Sequence, residues 1–108
     1  MSLDVYLECT CCKQAIYQRN ITHNLGKIAE RAGIYQALWR PEELGITNAD
    51  QLVPILTRGL EYLYTNTEEL RALEPSNGWG TVEDLISFVS YYLSAAESNP
   101  NATIEVSR

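Results

Sequence analysis

Three groups of side chains have the residue types and spacing to do chemistry. Cys9, Cys11 and Cys12 crowd four positions near the start of the chain, and His23 is its one histidine. Thiolates and imidazole are zinc ligands, but a structural zinc site takes four of them, usually from two separated pairs. This chain offers C-x-C-C and one histidine, with adjacent thiols at 11 and 12 directed to opposite sides of an extended backbone. Cys9, Cys11, Cys12 and His23 are therefore weak metal candidates, and a reduced thiol cluster on a hairpin turn is the simpler expectation. An odd number of cysteines does not suggest a disulfide framework. A redox-sensing role would require a lowered thiol pKa, which a sequence does not reveal.

The second group is Asn20-Ile21-Thr22-His23-Asn24, a dense polar cluster expected at the start of a helix, where unpaired amides and the dipole favour anions. On a helical projection Asn20, Asn24, Lys27 and Arg31 share a stripe beside the apolar face. Lys27 and Arg31 would neutralise a phosphate or carboxylate while the two amides read its hydrogen-bonding groups. The plain alternative is a solvated helix flank, and His23 projects away from the core, toward solvent. The third group is Gly78-Trp79-Gly80, whose glycines permit unusual dihedrals and close backbone approach. Trp79 is expected either as an apolar wall of the Asn20/Asn24 groove or as an indole closing the core over a helix end. Trp39 carries the second of these expectations.

Signatures of catalysis are scarce. The chain holds no G-x-S-x-G, no phosphate-binding glycine loop and no H-E-x-x-H, and the lone histidine leaves no second imidazole for a metal or triad site. Paired acids such as Glu42/Glu43 and Glu83/Asp84 fit helix starts better than acid–base catalysis. No catalytic residue and no cofactor are implied.

Charge narrows the partners. The net charge of −6 is the wrong sign for polynucleotides or anionic membranes, whose binding rests on neutralising phosphates. That acidity is local: residues 1–40 carry five basic and three acidic side chains, whereas residues 41–108 carry three basic and eleven acidic ones. A small anion at the first helix remains compatible with this distribution. No apolar run approaches the length of a membrane span, and the first residues lack signal-peptide character, so the expected location is the cytoplasm.

The 108 residues suit one domain, with ordinary globular composition. Leu3, Val5 and Leu7 alternate with Asp4, Tyr6 and Glu8, the period of a half-buried strand. A partner strand is expected near 14–18 and a third over 102–107. Between them the chain reads as helical: 20–32 capped by Asn20 and ended by Gly33, a turn over 34–39, a long helix within 48–64 that either begins around Val53 or is kinked there by Pro54, and a short one capped by Thr65 or Thr67. Thr65 and Glu68 have capping-box spacing. A last helix begins at Thr81 with Asp84 and stops before Pro100. Gly59, in the apolar stripe of the long helix, predicts a closely packed neighbour.

The segments Asn20-Ile21-Thr22-His23-Asn24-Leu25, Ala32-Gly33-Ile34-Tyr35, Leu38-Trp39-Arg40-Pro41 and Asn77-Gly78-Trp79-Gly80, with Ile104-Glu105-Val106-Ser107-Arg108, resemble small uncharacterised bacterial and phage proteins carrying an N-I-T-[HY]-N segment. The resemblance implies kinship along most of the chain and no activity.

The expected fold is α+β, with three to four helices packed on a small antiparallel sheet formed by the N- and C-terminal strands of a single domain, 1–108. The expected function is non-enzymatic binding or regulation: a small polar or anionic ligand, or a peptide, held near the first helix and the G-W-G loop by Asn20, Asn24, Lys27, Arg31 and Trp79. The alternatives are a structural protein acting through an oligomer interface, including a homo-oligomer, and a small metal protein or hydrolase.

Overall fold

A computed structural model describes residues 2–76, 78 and 80–108. The alternation at the start forms β1 (Ser2–Glu8), in which Leu3, Val5 and Leu7 are fully buried. It is the central strand of a three-stranded antiparallel sheet, flanked by β2 (Ala15–Thr22) and β3 (Thr103–Ser107) in the order β2-β1-β3. The weak alternation of residues 14–18 has a cause: Leu7 pairs with Tyr17 and Glu8 with Ala15, so Ile16 is an extra residue in a β-bulge and points to solvent.

β2 runs further than the helix expected from residue 20 allows. Asn20 pairs with Asp4, Ile21 with Leu3 and Thr22 with Ser2, so these residues belong to the sheet. A buried Ile21 satisfies a strand facing the core as well as a helical stripe, and pairing along the whole of β1 decides between them. Thr22 then takes over the cap expected of Asn20, its Oγ1 accepting from the Asn24 N–H at 3.2 Å. A 3-10 turn over His23–Leu25 leads into α1 (Gly26–Arg31), which buries Ile28 and Ala29. Gly33, at φ +78°, ends it in the left-handed region as expected.

α2 (Tyr35–Trp39) stops before Pro41. α3 (Val53–Thr65) tolerates Pro54 in its first turn, where the missing N–H has no partner to lose. A Cβ built on Gly59 would lie 2.2 Å from Ile34 Cγ2, the close neighbour that the glycine predicts. α4 (Thr67–Arg71) is not capped by Thr65. That residue still belongs to α3, and its hydroxyl donates back to the Glu61 carbonyl (2.9 Å), as the Thr67 hydroxyl does to Leu63 (2.7 Å). The expected Thr65–Glu68 capping box is therefore not formed.

α5 (Val82–Ser98) has the capping box its sequence specifies, with Thr81 and Asp84 exchanging two 3.1 Å hydrogen bonds. It packs on α3 and on β2, where Tyr92 stacks on Tyr17 at 5.8 Å between ring centres. The architecture is thus α+β, with five helices, two of them of only five residues, on a sheet built from N- and C-terminal strands. At the end of β3, Arg108 donates to the Trp39 carbonyl (2.8 Å) and pairs with Glu42, fastening β3 to the end of α2. Among the described residues no helix is long and apolar enough to cross a membrane.

Candidate functional site

The polar residues singled out around the first helix separate into two places. Asn20 projects from β2, where its Nδ2 donates to Ser2 Oγ and Asp4 Oδ1, both at 2.8 Å. It is a cross-strand tie on the sheet rather than a member of a helical stripe. The expected grouping of Asn20 with Asn24, Lys27 and Arg31 is corrected accordingly, because residues 20–22 are extended and the 100° projection does not apply to them.

Asn24, Lys27 and Arg31 remain together. His23, Asn24 and Lys27 form one wall of a cleft of about 560 Å³ whose other wall is the 72–76 segment that follows α4. A second cleft of about 360 Å³, lined by Lys27, Glu30, Arg31 and Leu73, adjoins it, sharing Lys27 and Leu73. Together they make a groove along α1. Neither Lys27 nor Arg31 forms an ion pair among the described residues. Glu74 lies in the opposite wall, but its Oε2 accepts from the Val82 N–H at 2.8 Å, so that carboxylate is engaged at the start of α5. By contrast, a cleft of about 470 Å³ lined by Glu30, Gly33, Tyr35, Gln36, Arg40 and Glu43 has Arg40 facing Glu43 at 3.6 Å.

His23 is half-buried rather than solvent-exposed, because the 3-10 turn redirects it toward α2. Trp39, 2% exposed, donates from Nε1 to His23 Nδ1 at 2.7 Å and stacks on Tyr35 at 5.2 Å. Indole nitrogen is only a donor, so His23 Nδ1 must be the acceptor and the neutral ring carries its proton on Nε2. The imidazole therefore keeps one donor, Nε2–H. Trp39 closes the core over the end of α2, as a large aromatic beside a helix boundary is expected to do.

Trp79 lies outside the described residues. Its neighbours Gly78 and Gly80 have φ of +76° and +121°, and a Cβ on Gly80 would come within 3.0 Å of Leu25 and 3.1 Å of Thr22. The loop backbone thus approaches the β2–α1 junction through a space that only glycine leaves open.

The cysteines occupy the β1–β2 hairpin, with Cys9 half-buried and Cys11 and Cys12 exposed as free thiols. His23 follows the opposite end of β2, roughly 25 Å away at about 3.3 Å per residue, too far to share a metal with them. Among the described residues no three His, Cys, Asp or Glu side chains converge to hold a metal ion. Among the described residues, the exposed large apolar side chains Ile16, Leu44, Tyr64 and Tyr91 sit on four different segments.

The part of the 72–76 wall before Pro75, residues 72–74, and the Trp39–His23 bond escaped sequence reasoning, since each joins residues whose proximity is set by packing. Comparison of the chain with protein-family models, with curated proteins and with solved structures finds no match to any of them.

Proposed function

We propose that this is a non-enzymatic binding protein that takes a small anionic ligand, a phosphate- or carboxylate-bearing molecule, in the groove between α1 and the 72–76 segment. The observation that carries this reading is the pair of clefts meeting at Lys27 and Leu73, with Lys27 and Arg31 on one rim and in no ion pair among the described residues. Lys27 would act as a point charge and Arg31 as a two-pronged donor, with His23 Nε2–H adding a neutral hydrogen bond. Leu73 and Pro75 supply the apolar side of the groove. Free thiols at Cys9, Cys11 and Cys12 favour work in a reducing compartment such as the cytoplasm.

The test is thermal unfolding with inorganic phosphate and with citrate, for the native chain and for Lys27→Ala/Arg31→Ala. A ligand at about a hundred times its Kd adds about 2.7 kcal/mol, which raises Tm by roughly 10 °C or more. The reading requires that rise in the native chain and its loss in the double variant. An equal rise in both, or none with either anion together with no retained ligand in native mass spectrometry, would remove the groove as a binding site.

A further inference from the structure

The β1–β2 hairpin tip carries all three cysteines of the chain. Lys13 N–H donates to Cys9 O and Cys9 N–H to Gln14 O, both at 2.9 Å, closing residues 9 to 13 into a single turn. Lys13 completes it in the left-handed region at φ +63°. The turn so closed holds Cys9 and Cys12 three residues apart on one short loop. Hydrogen bonding from Cys12 and Cys11, the Cys12 amide foremost, holds the Cys9 thiol below the ordinary thiol range. Cys9 is half-buried at the base of the turn, while Cys11 and Cys12 are exposed at its tip, so the cluster is open to small molecules.

We propose that Cys9 and Cys12 form a dithiol–disulfide couple that reacts with low-molecular-weight disulfides, Cys9 attacking and Cys12 resolving. The Cys9 thiolate attacks one sulfur of R–S–S–R, forming a mixed disulfide and expelling RS⁻. The Cys12 thiolate then attacks the Cys9 sulfur, forming the Cys9–Cys12 bond and expelling the second RS⁻. Two protein thiols lose two electrons, the small disulfide gains them, and the two thiol protons leave on the two RSH products. Cys12 is assigned the resolving role because it lies three residues on within the same closed turn. Adjacent Cys11 and Cys12 would have to bridge across a single peptide unit, where disulfide geometry is strained.

The experiment uses the full chain, reduced, desalted, exposed to oxidised glutathione, quenched by alkylation and mapped by mass spectrometry. The native chain should yield an intramolecular Cys9–Cys12 disulfide with Cys11 alkylated, and Cys11→Ser should form the same disulfide. Cys12→Ser should accumulate glutathione on Cys9, and Cys9→Ser should slow thiol loss about tenfold. Equal modification of all three cysteines in the native chain overturns the proposal, as does glutathione settling first on Cys11 or Cys12. Stoichiometric thiol-bound metal in protein purified without chelator also overturns it.

Discussion

Trp39 Nε1 donates to His23 Nδ1 at 2.7 Å, joining the last residue of α2 to the turn that opens α1 and fixing the imidazole as the Nε2–H tautomer. His23→Ala leaves a buried indole N–H without its partner, and the expected cost is about 1–3 kcal/mol in urea unfolding. In the native chain the indole N–H proton resonance should lie downfield and move upfield in this variant. Imidazole nitrogen shifts showing the proton on Nδ1 would contradict the bond.

Gly59 of α3 packs directly against Ile34, which precedes α2. Alanine at 59 favours an isolated helix by about 1 kcal/mol, yet its methyl group would fall 2.2 Å from Ile34 Cγ2. Overpacking wins: Gly59→Ala should destabilise the protein by about 1–3 kcal/mol. Leucine has no methyl branch at Cβ, so Gly59→Ala/Ile34→Leu should recover much of the loss in chemical denaturation. Additive penalties in the double variant would show that this contact does not limit the site.

The hydroxyls of Tyr17 and Tyr92 are buried and have no hydrogen-bond partner among the described residues. Burial pushes both phenols above their usual range, Tyr92 the further, with the neighbouring Tyr17 adding to its shift. A raised folded-state value stabilises the neutral form, so this contribution is complete below the ordinary phenol value of about 10 and falls away as pH rises beyond it. Tyr92→Phe should therefore move alkaline unfolding to higher pH, read from phenolate absorbance alongside circular dichroism. At neutral pH it should leave stability unchanged or raise it by about 1 kcal/mol, since an unsatisfied polar group is removed.

Glu42 and Arg108 form an ion pair at the surface, and the hydrogen bond from Arg108 holds the Glu42 carboxyl below the usual glutamate range. A lowered folded-state value gives stability that is complete above the ordinary value of about 4.3 and is lost as pH falls through the lower, folded one. Carboxyl titration by NMR should find Glu42 shifted down, and Arg108→Ala should return it toward the ordinary value. Because both side chains are partly exposed, added salt should shrink the shift. A titration that Arg108→Ala does not move would detach the shift from this pair.

Much of the scaffold was legible because its signals are local. The alternation of Leu3, Val5 and Leu7, the Thr81–Asp84 capping box, Pro54 in a first turn and Gly33 in the left-handed region each follow from a few neighbouring residues. Even Gly59 announced a close neighbour, although not that the neighbour is Ile34. Residues 20–22 misled because their apolar spacing suits either a strand or a helix; the choice was made by Ser2, Leu3 and Asp4, eighteen or so positions away. Thr65 misled because capping residues and interior threonines carry the same hydroxyl, and only the extent of α3 tells them apart.

The candidate site divides along the same line. Local sequence determined the helical spacing of Lys27 and Arg31, the clustering of the cysteines and the glycines around position 79, because these need only periodicity, composition and turn chemistry. Tertiary structure alone sent Asn20 to the sheet, placed Leu73 and Glu74 opposite Lys27 and turned His23 onto Trp39. Those three outcomes depend on strand register and on how helices dock, which are set by the burial of many distant side chains at once rather than by the residues beside them.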